Sequence, residues 1–562
     1  AHIFKHAILQ EVVYGSLLFA QRQELHRAVA EWYETAHPLD LEPFYPLLAH
    51  HWESAQAPVQ ALTYFERAGE QAHRSYANRE AVTFFTKALA ALDTEPPGSD
   101  AAARRVHRLR QVRAHRRLSE AQMALGDTAE GAAHIRSALV LLGHPEPTGV
   151  PRLLASFLGA MTRQMAHRLV PRLALREEPA DRAERTEMAH LMYGIMQAYY
   201  YSGNVAGALV ANFRSLNMAE SAMAGGELAP EVARGFGNVG AVIRSALGLQ
   251  RLSARYFERA RAVAGLHLPS LAYLDQIEGM ILIGAGELDR ADAPLARARA
   301  TFEELGDRRS LEQVVFIRAG WHWLRGEFPP VLELMDANLE SARRREDLQS
   351  EVLSLAQRAL GLIALDRLAP AMTDLERSRW LRGEGSLTAE RIFSTGLLAL
   401  ARARQGDAAG AATALDEVRD LLGRVPPNHV AIEGYAGAAE AALLLLETGA
   451  VERERGLGWA RAALKSLGVA AARLSPVYRS RLLTLRARLD DLTGRRRAAM
   501  AGLTQALASA TADLRYDEAR ALAELAMRDG PGAEHAGRAR TRLEQIGAAW
   551  DLKRLERALT SS

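Results

Sequence analysis

Apolar positions recur along this chain at three- and four-residue steps, and no run of period two is long enough for a sheet strand. Ala132, Ile135, Leu139 and Leu142 show the step within one stretch. Such stretches are divided at Gly126-Asp127, Gly203-Asn204, Gly248, Gly286-Glu287, Gly326-Glu327, Asp366, Gly406-Asp407, Gly449 and Gly494, and from Gly203 onward the interval is near 40 residues. Glycine after a helix takes the left-handed conformation without strain, and Asp, Asn or Glu just beyond suits the next helix's N-terminus. Three stretches share a further pattern: Ala61-x-x-Tyr64-Phe65-x-x-Ala68, Ala81-x-x-Phe84-Phe85-x-x-Ala88 and Ser253-x-x-Tyr256-Phe257-x-x-Ala260. Small residues flanking an aromatic on one helix face let a neighbouring helix approach closely while the ring fills the gap. Helix, turn and helix repeating at about 40 residues predicts an all-α solenoid of ten or more hairpins.

Turn-rich segments interrupt the repeats. His37 to Pro46 is a proline-bearing connector, where the ring removes a donor and disfavours helix before it. Thr94 to Asp100 and Gly143 to Pro151 are linkers. The second leads into an apolar helix, Arg152 to Arg176, edged by Arg163, Arg168 and Arg172. It fits either a helix packed on the solenoid, which the few positive charges favour, or one lying in a membrane interface. Leu543 to Leu559 reads as one closing amphipathic helix. The expected divisions are residues 1–36, first repeats over 44–142, linker and inserted helix over 143–177, solenoid over 178–540, and a cap over 541–562.

Composition narrows the chemistry. Only four of 70 basic residues are lysine, and the arginines nearly balance 67 acids, for a net charge of +3. Basic runs such as Arg343-Arg344-Arg345 adjoin acids, here Glu346-Asp347, so they read as solvated helix ends rather than a phosphate-tracking stripe. The absence of cysteine removes disulfides, thiolate nucleophiles and zinc–thiolate sites. None of Lys5, Lys87, Lys465 and Lys553 follows a glycine, so there is no Walker A loop, and the common hydrolase, metalloprotease and kinase motifs are missing. No apolar run is long enough to span a bilayer and no secretory peptide opens the chain, so a cytoplasmic location is expected.

The repeats resemble tetratricopeptide hairpins. The opening resembles something more specific. Phe4-x-His6-Ala7-x-Leu9-x-Glu11-Val12-x-Tyr14-x-Ser16-Leu17-Leu18, followed by Leu25-His26-Arg27, is similar to the end of the winged-helix subdomain in a bacterial family of regulators. In that family a class III adenylate/guanylate cyclase domain precedes a STAND-type AAA ATPase and helical repeats. The likeness is densest over residues 1–93 and returns at Ile546 to Trp550. It implies that the chain continues a fold begun upstream. It also implies a non-catalytic sensor and scaffold, which biases an upstream ATPase and its output, a nucleotide cyclase, when a protein or small molecule binds the solenoid. ATP, ADP and Mg²⁺ would act only through that upstream domain, with no cofactor on this chain. Alternatives are the sensor of an ATPase-containing transcription regulator and a free-standing scaffold.

Few residues stand out as sites. The resemblance places His6 where a winged-helix histidine contacts the β-phosphate of ADP, although Ala7 stands where the motif has Asp; the other reading is that His6 packs or caps the helix start. Trp321 and Trp323, with Tyr199 and Tyr201, could line a groove for a partner, or could be ordinary core between repeats. One tryptophan of the pair is expected inside and the other nearer the surface. His50-His51 is set aside as a metal site, because adjacent helical residues point about 100° apart.

Overall fold

A computed structural model describes residues 14–75, 77–95, 98–125, 127–147, 149–170, 182–201, 204–222, 229–382, 388–424, 427–530 and 534–561. Among the described residues the regular structure is helical throughout, with no strand. The chain divides into two compact units, Ala1–Thr148 and Gly149–Ser562.

The regular heart of the second unit lies between residues 268 and 422. Four hairpins follow one another there: Leu268–Ala285 with Leu288–Glu304, Arg308–Leu324 with Phe328–Arg344, Leu348–Ala364 with Leu368–Arg382, and Thr388–Gln405 with Ala408–Leu422. Left-handed backbone recurs every 20 residues, at Gly286, Gly306, Gly326, Glu346, Asp366 and Gly406. Each of these breaks a helix and redirects the chain for the next. The turn residues thus read from sequence are turns, and Asp366 serves where its neighbours use glycine. The acidic residues beyond them divide by length. Asp307, Asp347 and Asp407 accept the backbone N–H three residues on. Glu287 and Glu327, one methylene longer, make no cap and instead hold Arg244 and Arg290, and His322 and Arg325.

The same register sets the packing. Gly279, Ala319, Ala359 and Ala399 lie 40 residues apart on the first helices, and Leu295, Met335, Leu375 and Leu415 lie 40 apart on the second. A Cβ at Gly279 would sit 2.5 Å from Leu295, so the small residue is the hollow that receives the large one. Gly69 receives Phe85 and Gly240 receives Phe257 in the same way, which explains the aromatic pattern in the sequence. The repeat exceeds the usual tetratricopeptide length of about 34 residues because its helices are long, mostly 17 residues, while the turns stay tight.

Two boundaries fall differently from the expectation. Val150–Leu169 packs on Val205–Ala222 and belongs with the second unit. The closing helix is two, Glu534–Ile546 and Ala549–Ser561, because Gly547 takes a φ of +72° and ends the first. Residues 1–13, which carry most of the winged-helix resemblance, lie outside the described residues.

Candidate functional site

Burial separates the two helices of each hairpin. Ile432–Glu447 buries 14 of its 16 residues and Thr388–Gln405 13 of 18, whereas Ala408–Leu422 buries 5 of 15 and Arg496–Ser509 3 of 14. The first helices therefore form an inner layer, surrounded on nearly every side. Side chains far apart in sequence meet there: Arg325 reaches Asp513 at 3.4 Å and Lys553 reaches Asp366 at 2.6 Å. The interior a solenoid usually leaves as a groove is filled by its own later helices.

That interior is polar in a regular way. Glu433, Glu440 and Glu447 recur every seventh residue on Ile432–Glu447, two helical turns apart and so on one face. Each heads a cluster. Glu433 accepts from Arg481 at 2.7 Å and from the Trp323 indole at 2.6 Å, while the Arg481 Nε donates to Asp517 at 2.7 Å. Glu440 accepts from Arg404 at 2.7 Å and Arg520 at 2.5 Å, and Asp551, bound by the Tyr516 hydroxyl at 2.8 Å, completes the group. Glu447 pairs both oxygens with Arg488 at 2.9 and 3.0 Å, and Glu524 takes Arg554 and Arg528 at 2.6 and 2.7 Å. The second and third clusters balance acid with arginine, while the first holds two carboxylates against one guanidinium. Burial alone would raise the carboxyls of Glu440 and Glu524. The arginines outweigh it, Arg520 and Arg404 holding Glu440 far below the usual range and Arg554, Arg488 and Arg528 holding Glu524 down at about 2.

The tryptophans read as candidate groove residues are part of this interior. Trp321 and Trp323 are both buried, the first donating to the Leu288 carbonyl at 2.8 Å and the second to Glu433. The expectation that one would lie nearer the surface does not hold, because later helices cover the side that a single hairpin would expose. Tyr199 is half-buried; His6 and the Tyr201 side chain lie outside the described residues.

The outward-facing apolar surface is elsewhere. Helix Val150–Leu169 turns its polar side inward: Gln164, His167 and Arg168 all bind Glu220, at 2.9, 2.9 and 2.8 Å, and Asn217 donates to the Ala160 carbonyl at 2.8 Å. Val150, Leu154, Leu158, Met165 and Leu169 are left exposed on the opposite side. The sequence shows the amphipathic helix but not which side faces in. Glu220, far off on Val205–Ala222, decides that.

In the first unit, His26 from helix Phe19–Ala36 meets His50 and His51 from helix Tyr45–Ser54, with one ring nitrogen of each within 4.8 Å of the others. His115 and His134 form a second pair, Nδ1 to Nδ1 at 2.9 Å, beside a cleft lined by Asp93, Gln111 and Arg136.

His429, near the start of Ile432–Glu447, contacts the Ser475 hydroxyl at 3.1 Å, and burial lowers its pKa to about 4. Its unfolded value is near 6.5, so the neutral ring stabilises the fold above about pH 6.5, and that contribution is lost as pH falls toward 4. Glu440 and Glu524 lose theirs only below about pH 4, as they are protonated on the way to their depressed values. Melting of the second unit is expected to show two acid slopes. His429→Gln should abolish the upper one and leave the lower, as read by thermal unfolding from pH 7.5 to 3.

These features define the class: the chain is a tetratricopeptide-like solenoid of helical hairpins with a filled interior. No family model matches it, and none of the curated proteins does. Among solved structures it is similar to the APC/C hetero-tetramer Cut9-Hcn1, at 12% identity over 90% of this chain and 94% of that one, with a TM-score of 0.35. It is likewise similar to yeast Tom70, at 12% identity over 91% and 98%, also at 0.35. At those scores the likeness adds nothing to what the hairpins already establish. Among the described residues no helix is long and apolar enough to cross a membrane.

Proposed function

We propose that this chain is a non-catalytic, cytoplasmic sensor and scaffold that binds a protein partner and relays its binding to an upstream STAND-type ATPase and a nucleotide cyclase. The observation that carries the scaffold reading is the exposed apolar face of Val150–Leu169. Its polar side is fixed inward by Glu220, so the five apolar side chains cannot escape water by rolling the helix over. A contiguous apolar face of that kind marks an interaction site. The filled interior of the second unit argues against a peptide groove along its axis and moves binding to the outside. The ATPase and cyclase part is supported by the resemblance of residues 1–93. A partner acts in such a system by favouring one solenoid arrangement, and the shift it causes is limited by its difference in affinity between the two.

The test is conversion of ATP to cyclic AMP by the longer protein that carries this chain, whole, truncated after Glu34, and with Leu154→Glu and Leu158→Glu together. A several-fold change in rate on truncation is expected. With its partner present, the double variant should lose the response while keeping its basal rate. No cyclic nucleotide from any form would remove the cyclase reading and leave the scaffold.

A further inference from the structure

Helix Phe19–Ala36 is poorly held by apolar packing. Ala30 alone among its 18 residues is buried, while Phe19, Leu25 and Trp32 are exposed. Its attachments to the rest of the unit are polar. Glu34 accepts from Trp52 at 3.1 Å and from Tyr64 at 2.6 Å, and near the other end His26 stands against His50 and His51.

The histidine contact is unusual as a hydrogen-bonding arrangement. The Nδ1 atoms of His26 and His51 are 2.8 Å apart, so a single proton must lie between two like nitrogens. The His50 ring stands edge-on to His26 at 5.6 Å. Among the described residues no carboxylate binds any of the three rings, so nothing compensates a charged imidazole. Burial, and then the neighbouring rings, lower the pKa of both His26 and His51, the latter to about 4. All three groups are thus available as neutral bases with converging lone pairs, the form in which imidazole binds metals. The outer nitrogen of His26 is already engaged: its Nε2 lies 2.8 Å from the Tyr14 hydroxyl. With the ring proton on Nε2, donated to Tyr14, Nδ1 is left free to face the cluster, as the outer-shell partner of a metal-bound histidine does.

We infer that His26, His50 and His51 form a binding site for a divalent transition-metal ion of the zinc class, with water completing the coordination. Zinc–nitrogen bonds of about 2.0–2.1 Å in a tetrahedral site put ligand nitrogens about 3.3 Å apart. His26 and His51 therefore open slightly and His50 closes in, which side-chain rotation supplies because His50 is exposed. The ion takes the place of the proton shared by His26 and His51. That proton moves to His51 Nε2, so neutral rings release no net proton. Adjacent residues on a helix cannot easily serve one ion by themselves; His26, arriving from a second helix, supplies the vertex that His50 and His51 share. The ion would staple Phe19–Ala36 to Tyr45–Ser54, where the apolar contact is least.

The test is calorimetric titration of the full, tag-free chain, stripped with chelator, with Zn²⁺, and visible absorption with Co²⁺ as the geometric probe. One strong site per chain and a tetrahedral cobalt spectrum are expected. His26→Gln, His50→Gln and His51→Gln should each weaken binding at least about tenfold. Tyr14→Phe, a positioning change, should weaken it about tenfold without altering stoichiometry. The double variant His115→Gln with His134→Gln should bind as the parent does. Helical circular dichroism equal to that of the parent shows that each variant is folded. No site tighter than free imidazole, or a site unaffected by His26→Gln and His50→Gln, overturns the assignment.

Discussion

Arg481→Met is expected to destabilise the second unit by about 3–5 kcal/mol, among the largest effects of any single substitution in the chain. The side chain is 3% exposed and its guanidinium lies between Glu433 and Asp517. Methionine fills much of the same volume, so the loss is not one of packing. What changes is that two carboxylates already in excess over their one cation are left in the interior with none. Leaving a buried charge without its partner costs more than the pair itself contributes, because the desolvation is kept and the attraction is not. The companion experiment separates these terms. Arg481→Met combined with Glu433→Gln and Asp517→Leu removes both orphaned charges while keeping an amide oxygen for the Trp323 indole. Denaturant unfolding followed by tryptophan fluorescence should show the triple variant recovering to within about 1 kcal/mol of the parent. A single variant within about 1 kcal/mol of the parent would show that the cluster is already solvated and does not hold the inner layer together.

This cluster also marks the limit of what can be read from the amino-acid order. Turns and period are local properties: a glycine with positive φ and an aspartate that caps the next helix act within a few residues, so the amino-acid order alone picks out Gly286, Gly326 and Gly406. The hollow-and-knob register is only partly visible there. Requiring an aromatic knob finds Phe65, Phe85 and Phe257 but passes over Leu295, Met335, Leu375 and Leu415, which occupy the equivalent place with aliphatic side chains. The interior network is a property of tertiary closure. Glu433, Glu440 and Glu447 sit at a seven-residue spacing that could equally have marked a solvated stripe. What makes them interior is that Arg481, Arg520 and Arg404 arrive from helices 36 to 80 residues distant in the chain. The same holds for Trp323, whose partner is 110 residues away, and for His26, which meets His51 across 25 residues. The inward turn of Val150–Leu169 depends on Glu220 in the same manner. Local pattern predicts the hairpin; only the stack decides which face of it meets water.

Gly434→Ala should destabilise the fold by about 2–3 kcal/mol, the reverse of what alanine does for a helix in isolation. Helices Thr388–Gln405 and Ile432–Glu447 touch through their backbones. A Cβ on Gly434 would lie 2.2 Å from the Ile392 carbonyl oxygen, and one on Gly396 would lie 2.1 Å from that of Gly434. Neither obstacle is a side chain that can rotate aside, so relief requires the two helices to separate. Separation then propagates, because Glu433 and Glu440 flank this contact. Their bonds to Arg481 and Arg404 are 2.7 Å each, with no slack for a shift of an ångström. Gly458, helical and exposed on Arg453–Arg473, has no atom within 4 Å of a Cβ built on it. Gly458→Ala should therefore stabilise by about 0.5–1 kcal/mol through helix propensity alone. The two substitutions are chemically identical, so opposite signs in the denaturant midpoint isolate the close approach. If both stabilise, the helices are further apart than this packing requires, and the charge ladder built on their contact would have to be held in register by something else.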